Sequence, residues 1–255
     1  MRIKHEDGQT RKSDHALIAI MDETFKYPRL YVESDLGSGL DVLLTPMQAH
    51  YLKNVLRKKE GDPARLFNAR HGEWLGTLSA LSKKEAHVML QEQLRPQPEK
   101  QLKTALIFAP IKKNRFDWMI EKAVELGVTD FYPVLTQNTE VRKLNEERLQ
   151  AQIFEAAEQC ERLDIPALHS LQKLEPLLGE WDKSCTIFAC IERYDAVPLS
   201  RQESDIGLLI GPEGGFTREE KESLGAQDFV KPVTLGETVL RCETAAAKSI
   251  ILARG

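Results

Sequence analysis

The chain has 255 residues, of which 42% are hydrophobic and 29% charged, and its formal net charge is −4. This balance predicts a globular, soluble protein with one large domain or two modest ones. No apolar run approaches the ~18 residues of a membrane span, and the short run at 16–21 is too brief for a signal peptide, so we expect a cytoplasmic protein.

The first 24 residues are polar and mixed in charge. Such a stretch indicates either a flexible tail or translation from an upstream start codon. We therefore assign residues 1–27 to an N-terminal extension that is predicted to be flexible.

Residues 28–95 contain short apolar runs separated by turns rich in Gly, Asp, Asn and Lys. This pattern predicts a small β-barrel domain. One helix interrupts it, with Thr45 as the predicted N-cap, Pro46 at the first helical position and Leu56 near the end.

Basic residues are concentrated in this domain, although the chain as a whole is acidic. They are Lys53, Arg57, Lys58, Lys59, Arg65 and Arg70. Together they could neutralise several phosphates of an RNA without reading its sequence. The alternative is a solvated face that is balanced in part by Glu60, Asp62 and Glu73, and the sequence leaves both open.

Residues 96–103 are rich in proline and polar side chains, and they predict a linker to a second domain at 104–255. The second domain opens with a buried-strand run at 104–109. A helix with apolar residues at helical spacing follows, and Gly127 stands at its predicted C-terminal cap. Because another strand comes next at 131–135, the unit is βαβ and its sheet is predicted to be parallel.

A second helix is predicted at 144–162, followed by a buried strand at 185–190. The chain has four cysteines and six histidines. No two of the cysteines form a CxxC motif; they are Cys160, Cys185, Cys190 and Cys242. The histidines show neither HxxxH nor HExxH spacing, which would indicate a metal site. We therefore expect reduced thiols and no metal.

Two stretches near the end of the chain share one pattern, in which a strand leads through a glycine-containing loop into a helix. In the first, the apolar run at 208–210 stops at GPEGG, and Thr217 with Glu220 forms a capping box. In the second, a strand at 229–235 ends at Gly236, and helix formers fill 241–253. Both loops are predicted to lie at the carboxyl edge of the sheet, where ligands of such sheets bind.

These stretches resemble the RsmE family of 16S ribosomal RNA uridine N3-methyltransferases, which belongs to the SPOUT class. The resemblance rests on IGPEGGF at 210–216 and LGETVLRCETA at 235–245, supported by HYLKNVLRKKEGD, KKNRFDWMIEKAVELGV and AAEQCER, and it covers residues 28–254. It implies a knotted α/β domain with a parallel sheet and a trefoil knot, preceded by a PUA-like RNA-binding barrel. It also implies a homodimer that acts on 16S ribosomal RNA, with the assembled small subunit as the expected substrate.

By the same resemblance, the two loops hold S-adenosylmethionine. The residues expected to bind it are Leu209, Ile210, Gly211, Glu213, Gly214, Gly215, Leu235, Gly236, Val239, Leu240, Thr244 and Ala245. The residues expected to contact RNA are Lys53, Arg57, Lys112, Arg115, Lys122, Asn138, Gln159 and Arg162. Arg241 is expected to stabilise negative charge on the base or to grip a phosphate, and Glu243 to order Arg241 or accept a proton. Taken without the resemblance, Arg241 with Glu243 is an ordinary pair at a helix start, and Gln159 with Arg162 is a surface pair.

Two positions depart from the family pattern. Thr238 stands where the family usually has arginine, and Cys242 stands where threonine is common. The loss of a positive charge at 238 makes a non-catalytic RNA-binding relic one alternative, and a SPOUT enzyme for another RNA base is a second. A phosphate-binding loop is disfavoured because GPEGG lacks the Lys-Ser/Thr ending that such loops need.

Overall fold

The computed structural model describes residues 24–96, 102–191 and 196–255. Most of the predicted N-terminal extension and linker, at residues 1–23 and 97–101, lies outside the described residues. The chain separates into two compact units, residues 1–99 and 100–255. The finer domain boundaries at 28 and 96 stay predictions of the sequence.

The first unit is built on a five-stranded sheet in the order β1-β3-β4-β5-β2. Its strands are β1 (Arg29–Tyr31), β2 (Asp41–Leu43), β3 (Pro63–Asn68), β4 (Gly72–Leu81) and β5 (Ala86–Arg95). The register of the antiparallel pair β4 and β5 shifts repeatedly along its length, and such bulges bend strands and increase their twist. Leu66, Leu78 and Val88 are fully or almost fully buried in the resulting core.

The helix predicted in this unit is present but irregular. It begins at α1 (Pro46–His50), where Thr45 and Gln48 form a reciprocal capping box, and it continues as a single π-helical turn (Tyr51–Val55). Leu52 is fully buried and belongs to the same core as Leu66, Leu78 and Val88. Arg57 adopts a left-handed φ of 54°, which stops the helix. The sequence predicted the start of this helix correctly and missed its π-helical turn.

The second unit is built on an eight-stranded sheet in the order β11-β13-β10-β12-β6-β7-β8, with β9 paired to β7. The strands are β6 (Thr104–Phe108), β7 (Asp130–Leu135), β8 (Ala167–Leu168), β9 (Gln172–Lys173), β10 (Thr186–Cys190), β11 (Val197–Pro198), β12 (Ile206–Ile210) and β13 (Val230–Thr234). All of the pairings described in this sheet are parallel. The carboxyl ends of its strands therefore share one edge.

Helices cover both faces of this parallel sheet. They are α2 (Lys113–Glu125), α3 (Glu146–Gln159), α4 (Leu174–Glu180), α5 (Arg218–Gly225) and α6 (Cys242–Arg254). One core joins α2, α3 and α6 to side chains such as Phe108 and Leu208, and a second joins α4 and α5 to side chains such as Ile107 and Leu209. Because neighbouring residues of a strand point to opposite faces, both faces must be apolar, which explains the continuous apolar runs of β6 and β12.

The helix ends agree with the sequence. Thr217 and Glu220 form the predicted capping box at the start of α5, and Gly127 adopts φ +92° just after α2. Asn145 caps α3 by accepting a hydrogen bond from the amide of Arg148, so that helix is shorter than the predicted 144–162. The prediction of an α/β domain with a parallel sheet after a small β domain is confirmed. The trefoil knot stays a prediction of the resemblance.

Within the part of the chain that the structure describes, no helix is long and apolar enough to cross a membrane. The same residues contain no cluster of His, Cys, Asp and Glu side chains suited to a metal ion. The free cysteines are distributed over separate elements, with Cys185 and Cys242 buried.

Candidate functional site

A cavity of about 980 Å³ opens at the carboxyl ends of β10, β12 and β13. The last residues of these strands line it, including Cys190, Ile210 and Val233. Two loops form its walls: we call residues 211–215, after β12, the first loop, and residues 235–240, after β13, the second loop. Ligands of parallel α/β sheets bind in this position, so the cavity is the candidate functional site.

Glycine is required at position 211 of the first loop. A Cβ atom there would lie 2.8 Å from the ring of Phe216, which packs directly against this backbone. Gly215 adopts φ +68°, a conformation that residues with side chains rarely adopt. The first loop therefore presents backbone without side chains to the cavity at its glycines.

The loop after β7 fastens the first loop from one side. The Asn138 Nδ2 group donates hydrogen bonds to the carbonyl oxygens of Gly214 and Gly215, at 3.2 and 2.9 Å. The backbone amide of Gln137 donates to Glu220 Oε1 at 2.8 Å, while Glu220 also closes the capping box of α5. Two strand ends that are distant in the sequence are therefore tied together.

The start of α2 and the start of α6 fasten the first loop from the other side. Arg115 Nη1 lies 2.8 Å from Glu213 Oε1, and Arg115 Nε lies 3.8 Å from Glu243 Oε1. The Cys242 thiol donates to the carbonyl oxygen of Gly211 at 3.3 Å. Glu243 Oε2 is buried and has no hydrogen-bond partner among the described residues.

The second loop is held near its start by the side chain of Thr234, the last residue of β13. Gly236 adopts φ +125°, and Thr234 Oγ1 lies 3.2 Å from both the amide nitrogen and the carbonyl oxygen of this glycine. Beyond it the side chain of Val239 is 57% exposed, and Arg241, at the N-cap position of α6, is also exposed. The second loop therefore leaves its side chains open to a ligand.

The structure brings most of the predicted cofactor residues together at this cavity. Those that line it are Ile210, Gly211, Glu213, Gly214, Gly215, Leu235, Gly236, Val239, Leu240 and Ala245, together with the predicted catalytic Arg241. Leu209 lies instead in the core on the α4 and α5 face of the sheet, and Thr244 is an exposed residue of α6 outside the lining. Glu243 also lies outside the lining and faces Arg115 rather than Arg241.

The predicted RNA contacts of the second unit fall into two groups. Lys112 and Arg115 line the cavity, and Asn138 contacts the first loop. Lys122, Gln159 and Arg162 lie near the ends of α2 and α3, away from it.

Arg162 shows this separation most clearly. Its Nη1 group donates to the carbonyl oxygens of Val124 and Val128, both at 2.8 Å, and its guanidinium pairs with Asp164. Val128 precedes the start of β7, whereas the cavity lies past the ends of the strands, and a six-residue strand spans roughly 20 Å. In this position Arg162 caps the carboxyl end of α2.

The basic residues of the first unit are not all exposed. Lys53 donates to the carbonyl oxygen of Leu81 at 3.0 Å, and Arg57 is exposed. Arg65 was grouped with them from the sequence, and that grouping is wrong because Arg65 is buried beside Glu73, with 3.1 Å between Nη1 and Oε1. Residues 64–68 of β3 are all buried, so Arg65 belongs to a strand with neither face open to solvent.

Several residues of the cavity are not among the individually predicted site residues. Those outside the two predicted loops are Cys190, Ile191, Phe216, Lys221, Val233, Thr234 and Cys242, and those inside them are Pro212, Glu237 and Thr238. The sequence marks Thr238 and Cys242 only as departures from the family pattern. Burial raises the pKa of the Cys190 thiol to about 12, so this thiol stays neutral and is a poor nucleophile. Lys221 had a usable signal, because it follows the N-cap Thr217 by one helical turn and so lies near the first loop.

The comparison with known proteins matches this geometry. A family model described as an RNA methyltransferase domain covers residues 98–253, and one described as an RNA methyltransferase PUA domain covers residues 44–90. The fold and its cavity thus define an RNA methyltransferase with a PUA-type domain.

Relatives and solved structures narrow this class. The chain is 34% identical to ribosomal RNA small subunit methyltransferase E of Rickettsia conorii, with 90% of this chain and 96% of that protein covered. It is 29% identical to the protein of the same name from Bacillus subtilis, with 79% and 85% covered. The chain therefore belongs to the ribosomal RNA small subunit methyltransferase E family. A solved member from Neisseria gonorrhoeae, bound to S-adenosyl methionine, has 28% identity and a TM-score of 0.77, with 88% of this chain and 95% of that chain covered.

Proposed function

We propose that this protein transfers a methyl group from S-adenosylmethionine to N3 of a uridine in 16S ribosomal RNA, at position 1498 in the numbering of that RNA. The observation that supports it most is the cavity between the first and second loops, formed by the motifs that carry the family resemblance. The ribosomal target also implies that the protein acts in the cytoplasm.

The residues present fit this cofactor. The cavity volume of about 980 Å³ lies at the upper end of the range for small-molecule sites, and the strand ends in its lining include the apolar Ile210 and Val233. Gly211 and Gly236 carry no side chain, so a ligand can approach their backbone closely, and a Cβ atom at position 211 would also meet the ring of Phe216. Ile210, Leu235 and Leu240, with the backbone of both loops, would hold the adenosyl group. The bound cofactor supplies an electrophilic methyl group.

The chain itself must orient the uridine and stabilise the negative charge left when its N3 proton is lost. Arg241 is the best placed cation, since it is exposed at the rim of the cavity where the second loop enters α6. Glu243 contacts Arg115 and not Arg241, so we assign Glu243 to positioning Arg115 and, through it, the first loop. With Glu243 assigned in this way, we assign removal of the N3 proton to water or to a group of the RNA.

We assign the contacts to the RNA backbone and the contact between two copies of the protein to surfaces outside the cavity. In the first unit, exposed basic residues that include Arg57 and Lys59 would contact phosphates of the RNA. In the second unit, Trp118 on α2 and Ile251 on α6 are 42% and 53% exposed on two helices that pack together. Contiguous patches of exposed apolar side chains mark interfaces, and on this basis we assign the contact of a homodimer to α2 and α6.

The test combines cofactor binding with a map of the RNA. Calorimetry of the purified protein with S-adenosylmethionine should show binding, and the absence of heat would favour the non-catalytic relic. Mass mapping of 16S ribosomal RNA from cells that lack the gene should show the loss of one methyl group from the expected uridine. Loss of a methyl group elsewhere would identify an enzyme for another base, and an unchanged map would rule out the proposal.

A further inference from the structure

The cavity contains a lysine that none of the family motifs includes. Lys221 lies on α5 and is half-buried in the cavity wall. Among the described residues its ammonium group has neither an ion-pair partner nor a hydrogen-bond partner. A cation that lines a cavity and has no counter-ion can bind an anionic group of a ligand there.

The other cations that line the cavity either have an ion-pair partner or are exposed. Lys112 pairs with Glu140 at 3.1 Å, and Arg115 pairs with Glu213. Arg241 is exposed at the rim. Among the described residues that line the cavity, Lys221 is thus the half-buried cation without a partner, whereas Arg241 is accessible to a large ligand from outside.

Helix geometry directs Lys221 toward the first loop. Its amide donates to the carbonyl oxygen of Thr217 at 3.0 Å, which places it at the end of the first turn of α5. Side chains on a helix lean toward the N-terminus and cover the preceding turn. The ammonium group therefore reaches back over the turn that follows Gly214 and Gly215, where the helix dipole also favours an anion.

We propose that Lys221 binds the α-carboxylate of S-adenosylmethionine, an inference that rests on the proposed function. The sulfonium and ammonium groups of this cofactor are positive, so its carboxylate is the one group that requires a cation. A phosphate of the RNA is the competing anion, and it meets Arg241 first because Arg241 stands at the rim.

The experiment is a binding cycle with two cofactors and matched variants. Calorimetry measures the Kd of S-adenosylmethionine and of its decarboxylated form, first for the unaltered protein and then for Lys221→Met, which removes the ammonium group but keeps an unbranched side chain only one atom shorter. Lys183→Met removes a charge from an exposed position between α4 and β10 and serves as the control. Lys221→Arg, which keeps the charge, tests for rescue, and thermal unfolding checks the fold of each variant.

We expect Lys221→Met to weaken the binding of S-adenosylmethionine about tenfold, the effect typical of one charged hydrogen bond. The decarboxylated cofactor should bind the variant and the unaltered protein equally, and Lys221→Arg should recover most of the affinity. Equal affinities for S-adenosylmethionine, or an equal loss with both cofactors, would overturn the assignment. So would an unchanged cofactor affinity with a raised KM for RNA, which would point to a phosphate.

The outcomes also separate this inference from the proposed function. If the unaltered protein binds neither cofactor, the proposed function fails and the inference fails with it. If the unaltered protein binds S-adenosylmethionine and Lys221→Met binds it equally well, only the assignment of Lys221 fails. If Lys221→Met does not fold, the comparison of Lys221→Arg with Lys221→Gln decides the question in the same way.

Discussion

The two loops of the cavity share one pattern in the sequence but are held very differently. The first loop receives hydrogen bonds from Asn138 and Cys242 and an ion pair from Arg115, and the ring of Phe216 packs on its backbone. The second loop is held near Gly236 by the side chain of the neighbouring Thr234. A loop fastened from several elements is preorganised, whereas an open loop must be ordered by whatever binds it.

This difference suggests a division of labour. The first loop presents a fixed wall of backbone against which a cofactor can bind at little entropic cost. The second loop leads through exposed residues to Arg241. A ligand at the rim of the cavity can therefore still reposition the second loop. We therefore expect substitutions in the first loop to affect binding and stability, and those after the second loop to affect turnover.

The largest effect should come from Arg241→Ala. Loss of a group that stabilises developing charge typically costs about 10²-fold or more in turnover. Because Arg241 is exposed and its side chain does not cap α6, the unfolding midpoint and the cofactor Kd should stay close to those of the unaltered protein. A methyl-transfer assay on small subunits measures the effect, with Arg218→Ala, an 87% exposed arginine on α5, as control. Full turnover in Arg241→Ala would remove this residue from the mechanism.

Gly211→Ala should have the next largest effect, on binding. The new Cβ would lie 2.8 Å from the Phe216 ring, and overpacking of this kind costs about 1–3 kcal/mol. Displacing either the ring or the first loop should weaken cofactor binding by about tenfold to a hundredfold if that strain falls on the bound state. Calorimetry and urea unfolding measure both quantities.

Gly225 provides the matched control for this substitution. A Cβ atom there would meet nothing within 4 Å, and the residue ends α5. Gly225→Ala should bind the cofactor normally and should be as stable as the unaltered protein or slightly more so. If Gly211→Ala behaves like this control, the first loop is not the rigid wall described above.

Asn138→Ala should give a moderate effect and make the first loop more like the second. The variant loses the hydrogen bonds to Gly214 and Gly215, each of which contributes about 1 kcal/mol or less because the site is exposed. Hydrogen exchange at residues 211–215 should accelerate, and cofactor affinity should fall by about fivefold if about 1 kcal/mol of that energy is lost from the bound state. Asn114→Ala, at an exposed position on α2, is the control. Unchanged exchange in the Asn138 variant would show that other contacts suffice to hold the loop.

The sequence predicted the parts of the site whose causes are local. The apolar run of β12, the glycines after it and the capping box of Thr217 with Glu220 lie within a few residues of one another, so their pattern can be read directly. The start of α6 after Arg241 is local in the same way. Propensity, turn chemistry and capping act over this range.

The contacts between loops could not be read from the sequence. Asn138 and Gly214 are 76 residues apart, and only the order of strands in the sheet brings them together. The same topology places Arg162 at the amino edge of the sheet, although its motif alone suggested a substrate contact. Very short strands such as β8 and β9, each of two residues, carry too little pattern to be predicted.

The smallest effect is predicted for Cys242, where two variants distinguish the contribution of packing from that of the hydrogen bond. Its thiol is a weak donor to the carbonyl oxygen of Gly211, and the residue is buried between the first loop and α6. Cys242→Thr places a stronger donor there, and Cys242→Val provides a similar shape without a donor. If the hydrogen bond fastens the first loop, the free energy of unfolding in urea should be about 0.5–1 kcal/mol higher for the Cys242→Thr variant than for the Cys242→Val variant. The Cys242→Thr variant should also bind the cofactor more tightly. Equal stability, or a more stable Val variant, would mean that Cys242 only fills space and that Asn138 and Arg115 hold the loop by themselves.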